Sequence, residues 1–69
     1  MDTLRISTCI RAYRREHAMS QARFGELFGV SAQAVSKWER KISCPDITLL
    51  PALARILGVS LGYLLGAEA

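Results

Sequence analysis

The sequence has few of the residues that build metal sites, disulfide frameworks or membrane spans. Its 69 residues include only two cysteines and one histidine. Cys9 and Cys44 form no Cys-x-x-Cys pair, and His17 completes no metal-ligand spacing, so we expect neither a metal nor a cofactor. Two reduced thiols in a cytosolic protein are the favoured interpretation, and a disulfide-stapled secreted miniprotein is the alternative. No stretch approaches the roughly 20 apolar residues that span a bilayer.

Signs of strands or of catalysis are also missing. No alternation of valine, threonine and aromatic residues indicates a strand, and the only prolines are Pro45 and Pro51. The sequence has no carboxylate pair, no nucleophile paired with a base and no phosphate-binding loop, and so short a chain lacks a credible substrate pocket. We therefore expect no enzyme and no catalytic residues. Asp2 and Arg5 interrupt any apolar run at the start, so no signal peptide is expected and a cytoplasmic location is favoured.

The chain does contain enough apolar residues to fold. Hydrophobic residues make up 51% of it, which supports a compact core and argues against disorder. A net charge of +3 and an isoelectric point of about 9.3 mildly favour a polyanionic partner. No basic residue follows Arg55, so the basic surface belongs to the earlier part of the chain. The length allows one domain over residues 1–69, with an ordered core at about 4–66.

Apolar residues recur at helical spacing, as Ile6, Ile10 and Tyr13 do on one face of the first predicted helix. We expect five helices, at about residues 3–17, 21–28 and 32–40, then one ending at 57 and a short one after 60. The fourth begins near Thr48 or follows an irregular first turn after Asp46, because proline is tolerated only in the first turn of a helix. The predicted fold class is therefore all-α, a compact five-helix bundle.

Small polar residues and glycines mark the ends of these helices. Ser20, Ser31 and Ser60 stand where an N-cap hydroxyl would accept a free backbone N–H. Gly29 and Gly58 stand where a helix would stop with positive φ, which glycine adopts at little cost. The second and third helices are thus joined by a short turn at residues 29–31.

Residues 21–40 have the layout of two helices that meet at a steep angle through a short turn. Gly25 is small enough for the close approach of the two helices, and Gly29 suits the sharp turn. The large apolar residues that would fix the pair to the bundle are Phe24, Phe28, Val30, Val35 and Trp38. The residues left exposed on the third helix would be Ala32, Gln33, Ser36, Lys37 and Arg40, whose side chains suit base edges and phosphates.

Residues 20–31 (SQARFGELFGVS) and 35–40 (VSKWER) resemble the helix-turn-helix of the Cro/C1-type (Xre family) regulators. Residues 44–47 (CPDI) and 58–65 resemble that family's fourth and fifth helices, so the resemblance covers about residues 6–65. It implies the phage-repressor fold, with the helix-turn-helix at helices 2 and 3. It also implies a transcriptional regulator, a repressor, that binds double-stranded DNA sequence-specifically with a recognition helix at about 32–40 in the major groove.

The resemblance assigns expected roles to individual residues. Those that match the base-contacting positions are Ala32, Gln33, Ser36 and Lys37. Those that match the phosphate-contacting positions are Gln21, Ser31, Arg40, Lys41 and Ser43. Gln21 would also support the recognition helix. Ala18 and Lys41 stand where glycine is frequent in the family, so either these turns are built differently or strain of ~1–2 kcal/mol is accepted.

Several side chains keep two interpretations. Gln33 would make two hydrogen bonds to adenine. Lys37 reaches either guanine or a phosphate, and Ala32 either packs on a thymine methyl or only begins the helix. Trp38 is expected in the core rather than stacked on a base, because it shares a face with Val35.

Some charged and apolar residues outside the exposed face of the third helix also have two interpretations. Glu39 is expected to turn away from DNA and pair with a neighbouring arginine. Arg14 and Arg15 either lie in a solvated face, which is slightly favoured, or contact phosphate. Leu61 and Tyr63 either form a dimer seam or complete the core.

The expected partner is a palindromic operator in duplex DNA, bound by a homodimer of this chain or of a longer protein in which this chain is the DNA-binding part. One recognition helix makes about three base contacts of ~1–3 kcal/mol each, whereas specific regulators need ~4–10 kcal/mol over non-specific binding. The alternative function is a protein-binding module, an antitoxin or adaptor, whose exposed third-helix face would be apolar or acidic. The residues at that face favour DNA.

Overall fold

The computed structural model describes residues 5–67 and contains five helices in that range. They are α1 (Ile6–Glu16), α2 (Gln21–Glu26), α3 (Ala32–Glu39), α4 (Leu50–Leu57) and α5 (Leu61–Leu64), with a 3-10 turn (Ile47–Leu49) before α4. The predicted all-α class and the five helices are confirmed. The predicted start of α1 at about residue 3 lies outside the described residues. None of the helices in the described range is long and apolar enough to cross a membrane.

Serine hydroxyls begin three of the helices. The Oγ atoms of Ser20, Ser31 and Ser60 accept hydrogen bonds of 3.0, 3.1 and 3.0 Å from backbone N–H groups three residues later. Each hydroxyl satisfies one of the donors that the first turn of a helix leaves unpaired. The three predicted N-caps are therefore confirmed.

Of the two predicted starts for α4, the structure has the irregular first turn after Asp46. The Asp46 carboxylate accepts hydrogen bonds of 2.9 Å from both the backbone N–H and the hydroxyl of Thr48. These bonds hold the pKa of Asp46 below its ordinary value. The chain then makes the 3-10 turn, and Pro51 falls in the first turn of α4, where its missing N–H costs no helical hydrogen bond.

The turn between α2 and α3 starts earlier than predicted. α2 ends at Glu26 rather than Phe28, because the Gly25 carbonyl accepts from both Phe28 N and Val30 N at 3.0 Å and reverses the chain. A Cβ atom on Gly25 would lie 2.5 Å from the Val30 carbonyl oxygen. The close approach predicted from the size of Gly25 is therefore confirmed. α3 likewise ends one residue early, with Arg40 as its C-cap.

All five helices contribute to one core. Its buried residues are Ile6, Ile10, Phe24, Val35, Trp38, Leu53, Ala54 and Leu64. The placement of Trp38 in this core, rather than at the surface, confirms its predicted role. Phe24 lies at the centre, with ring centroids 5.8 Å from Tyr13 and 5.2 Å from Phe28. The Phe24 ring thereby packs α2 against Tyr13 of α1.

The two positions where the family often has glycine do adopt the left-handed conformation. Ala18 has φ +49° and Lys41 has φ +62°, as Gly29 and Gly58 have φ +70° and +73°. The sequence left open whether these turns are built differently or are strained, and the φ values show that both are strained. The strain costs ~1–2 kcal/mol per residue, which packing elsewhere must offset.

Candidate nucleic-acid interface

The predicted base-contacting residues lie together on the outer side of α3. Gln33 and Lys37 are exposed, and Ala32 and Ser36 are half-buried. Residues 33, 36, 37 and 40 follow the i, i+3, i+4, i+7 spacing, so they share one face of the helix. The opposite side of α3 carries Val35 and Trp38 into the core. We call the outer residues Ala32, Gln33, Ser36, Lys37 and Arg40 the recognition face.

Within the recognition face, one hydrogen bond links a predicted base contact to a predicted phosphate contact. Arg40 Nε donates to Ser36 Oγ at 3.1 Å across one turn of α3. The bond occupies an acceptor site of the hydroxyl and leaves the Ser36 O–H hydrogen available as a donor. The remaining guanidinium N–H groups of Arg40 stay available toward solvent, where the residue is exposed.

The loop after α3 wraps around the end of the recognition helix. The backbone N–H groups of Ile42 and Ser43 donate to the Lys37 carbonyl at 2.9 and 3.4 Å. These bonds hold the exposed residues Lys41 and Ser43 in the turn just beyond the end of α3. Ser31 caps the other end of α3, which is about 12 Å long at 1.5 Å per residue. Predicted phosphate contacts therefore stand at both ends of the recognition face.

Glu39 is the one acidic residue of α3, and it is turned into the protein. It is only 5% exposed. Its carboxylate accepts from Arg14 Nε at 2.6 Å and Arg14 Nη2 at 2.9 Å, and from Gln21 Nε2 at 3.2 Å. The predicted pairing of Glu39 with an arginine, away from the outer face, is confirmed. No carboxylate of α3 is left to repel a polyanion.

The support that Gln21 gives the recognition helix agrees with its prediction, whereas the setting of Arg14 differs from both of its predicted alternatives. The Gln21 amide does support the recognition helix, through Glu39, while its contact with phosphate stays a prediction. Arg14 belongs to neither of its two predicted settings, because its guanidinium pairs with Glu39 and donates to the Met19 carbonyl at 3.0 Å. Sequence reasoning missed this specific pair because its members lie 25 residues apart.

The charge of Glu39 is stabilised by three neighbours. Burial alone would raise the pKa of Glu39, but hydrogen bonds from Arg14 and Gln21 and the positive charges of Arg14 and Arg11 outweigh it. The pKa of the carboxyl therefore lies below its ordinary value. The same hydrogen bond raises the pKa of Arg14. Arg11 adds a hydrogen bond of 3.3 Å from Nη2 to the Glu39 carbonyl, so α1 holds the end of α3 through both side chain and backbone.

The arrangement suits the major groove of duplex DNA. That groove is about 12 Å wide and admits one helix, and its base edges offer hydrogen-bond donors and acceptors. The recognition face supplies an amide, a hydroxyl, an ammonium and a methyl group, and its charges, Lys37 and Arg40, are both positive. Among the described residues, no cluster of three or more histidine, cysteine or acidic side chains is suited to a metal ion. Cys9 and Cys44 are free thiols.

Comparison with known proteins gives consistent matches. A family model described as helix-turn-helix matches residues 10–64. The repressor protein C2 of Salmonella phage P22 is 40% identical over 68 residues, which cover 99% of this chain and 32% of the relative. The chain thus spans about a third of the length of that curated relative. A crystal structure of the P22 c2 repressor in complex with synthetic operator 9T, in the presence of Tl+, matches with a TM-score of 0.77 and 38% identity. That match covers 91% of this chain and 96% of the other.

Proposed function

The chain belongs to the helix-turn-helix family, and from that premise we propose that it is a sequence-specific DNA-binding regulator of transcription, a repressor. The family is one of DNA-binding regulators and not a class of enzyme. The observation that carries the proposal is the recognition face. It gathers the predicted base-contacting side chains on the outer side of α3, while the helix's one carboxylate is buried against Arg14. The similarity to the P22 repressor, whose crystal structure holds an operator, supports the same proposal.

In this proposal α3 enters the major groove and its side chains contact base edges. Gln33 makes two hydrogen bonds to adenine, and the methyl group of Ala32 packs against thymine. Ser36 donates its hydroxyl hydrogen to a base acceptor, because Arg40 already occupies one acceptor site of the oxygen. Lys37 reaches guanine or an adjacent phosphate.

Contacts at both ends of α3 position the helix in the groove. Gln21 and Ser31 contact phosphates near the start of the helix-turn-helix, and Arg40, Lys41 and Ser43 contact them beyond the end of α3. Such contacts fix register without reporting sequence. Lys41 has φ +62°, a conformation that glycine would adopt with less strain. A contact between the Lys41 charge and a phosphate would offset this strain when DNA binds.

We further propose that the protein binds as a homodimer on a palindromic operator in the cytoplasm. Two recognition helices supply the ~4–10 kcal/mol of discrimination that one helix reaches only at its upper limit. Three apolar side chains of α5 and its C-cap remain exposed and would form the seam: Leu61 at 40%, Tyr63 at 36% and Leu65 at 38%. Half-sites would then lie ~34 Å apart.

The test is selection of bound duplexes from a random pool at two salt concentrations, with sequencing of the bound fraction. We expect an enriched palindrome for the wild type. Gln33→Ala should relax the preference at one position per half-site by ~1–3 kcal/mol, and Lys41→Gln should weaken binding evenly across sequences. Glu26→Gln, on the exposed side of α2, is the control and should retain the motif.

Other outcomes would change the proposal in defined ways. Salt-sensitive binding without an enriched motif would mean that the chain binds DNA but does not discriminate between sequences. No binding even at low salt would contradict DNA regulation and favour an antitoxin or adaptor.

A further inference from the structure

We propose that a pocket between α1 and the ends of α2 and α3 holds a phosphate of the DNA backbone, outside the predicted phosphate-contacting set. The pocket has a volume of about 550 Å³, and its polar walls are Arg11, Arg14, Arg15, Ser20 and Glu39. We call it the arginine pocket. The identification of its phosphate as DNA rests on the proposed function, whereas its affinity for a phosphate group does not.

Charge is unevenly balanced in the arginine pocket. Three guanidinium groups face one carboxylate, and Arg14 is the arginine closest to that carboxylate, with two hydrogen bonds of 2.6 and 2.9 Å. Arg11 lies farther out, with Nε 4.0 Å from the Glu39 carboxylate and a side chain that is 56% exposed. Arg15 is exposed and forms no ion pair with any of residues 5–67. Arg15 thus has no acidic partner in the described part of the chain, and Arg11 has only a long ion pair with a carboxylate that Arg14 already engages.

The positions of the two outer arginines favour an anion between them. Arg11 and Arg15 are four residues apart on α1, a spacing at which like charges repel each other and destabilise a helix. An anion seated between them would relieve that repulsion. Arg11 uses one of its five N–H donors on the Glu39 carbonyl and keeps the others for a ligand. Planar guanidinium donors match the oxygens of phosphate.

The pocket adjoins the predicted path of the DNA backbone. Its wall residue Ser20 immediately precedes Gln21, and Gln21 Nε2 donates to the wall residue Glu39 at 3.2 Å. Phosphates of one strand recur about every 3.4 Å along the duplex axis. A strand that meets Gln21 therefore brings a neighbouring phosphate toward the long side chains of Arg11 and Arg15.

Salt dependence of binding to a random-sequence duplex tests this inference without knowledge of the operator. Each phosphate neutralised contributes about 0.9 to the slope of log affinity against log salt. We expect Arg11→Gln and Arg15→Gln each to reduce that slope, by up to about 0.9, which is a factor of about 3.5 over a fourfold change in salt. Arg55→Gln is the matched control, because it removes the same charge from an exposed position on α4, away from the pocket.

Two further measurements identify the phosphate. On one duplex that carries the motif enriched by selection, ethylation of single phosphates should reveal a position that interferes with wild-type binding but not with binding by Arg11→Gln. Titration of the free protein with inorganic phosphate, against chloride at equal ionic strength, should shift the side-chain N–H signals of Arg11 and Arg15. Equal slopes for both pocket variants and Arg55→Gln would overturn the DNA contact.

The outcomes separate this inference from the proposed function. Wild-type protein that binds no duplex at low salt refutes the proposed function and the DNA source of the phosphate together. Wild-type protein that binds DNA, with unchanged slopes in the pocket variants, refutes only the arginine pocket as a DNA contact. Inorganic phosphate that shifts no arginine signal refutes affinity of the free pocket for phosphate.

Discussion

Replacement of Glu39 by glutamine is the sharpest test of how the recognition helix is held. The change keeps the size of the side chain and one acceptor oxygen, but removes the charge that pairs with Arg14. Glu39 is 5% exposed and accepts three hydrogen bonds, two from Arg14 and one from Gln21. A glutamine has to turn its own N–H2 group toward one of these donors, so at least one hydrogen bond is lost.

The size of the effect follows from the burial of the pair. Removal of one partner from a buried ion pair costs ~3–5 kcal/mol, because the other charge stays behind without compensation. The Arg14 side chain retains 23% exposure, so water can partly solvate it, and we expect about 3 kcal/mol, the lower end of that range. At ~0.05–0.15 kcal/mol per residue the whole domain has roughly 3–10 kcal/mol of stability. The variant should therefore melt about 12–24 °C lower than the wild type.

Urea unfolding followed by circular dichroism at neutral pH measures this loss. Glu26→Gln is the matched control, because the same chemical change falls on an ion pair with Arg23 whose side chains are 65% and 66% exposed. The control should change stability by less than ~1 kcal/mol. The double variant with Arg14→Met should lose less than the sum of the single losses, because it leaves no unpaired charge. A loss below about 1 kcal/mol for Glu39→Gln, or strict additivity with Arg14→Met, would refute the reasoning.

The same pair predicts a dependence on acid with a definite sign. The pKa of Glu39 is lowered in the folded protein from its ordinary value of 4.5, so folding favours the ionised carboxyl. Its contribution is complete above that ordinary value and is lost as pH falls through the lowered value. The stability difference between wild type and Glu39→Gln should be constant near neutral pH and shrink on acidification below about pH 4.5. Asp46, whose pKa is also lowered, is present in both proteins and cancels in the difference.

Three further substitutions test single features of the fold and the site. Gly25→Ala places a Cβ 2.5 Å from the Val30 carbonyl oxygen, a backbone atom that cannot rotate away. Urea unfolding should therefore show a loss of about 3 kcal/mol in the free energy of unfolding. A urea midpoint equal to that of the wild type would contradict the close approach. Ala18→Gly relieves the strain at φ +49°, and part of this gain is offset by the entropy that glycine adds to the unfolded chain. The free energy of unfolding should therefore rise by about 0.5–1 kcal/mol. Any loss of stability would argue against strain at this position. Ser31→Asp keeps an acceptor for Ala34 N and should leave stability within about 0.5 kcal/mol, yet weaken duplex binding by repelling phosphate. Unchanged affinity would remove Ser31 from the phosphate contacts.

Most of the helical framework follows from short-range sequence rules. The three serine caps form hydrogen bonds to groups three residues away, so the residue type and the first turn that follows suffice to predict them. The small size of Gly25 and the positive φ of Gly29 are also consequences of residue type within one turn of chain. The family resemblance added the identity of the recognition helix, and the fold confirms its outward face.

Features that depend on residues far apart in the chain needed the tertiary structure. The Arg14–Glu39 pair joins α1 to α3 across 25 residues, and several arginines in this basic sequence were equally suitable partners. The left-handed φ values at Ala18 and Lys41 accompany local hydrogen bonds that close α1 and α3, from Met19 N to the Arg14 carbonyl and from Ile42 N to the Lys37 carbonyl, both 2.9 Å, although neither residue type favours that conformation. The sequence by itself determined five helices and a polar, basic face on the third. Only their packing decided which charge is buried and where three arginines meet, because such contacts depend on the distances between helices and not on the order of residues within them.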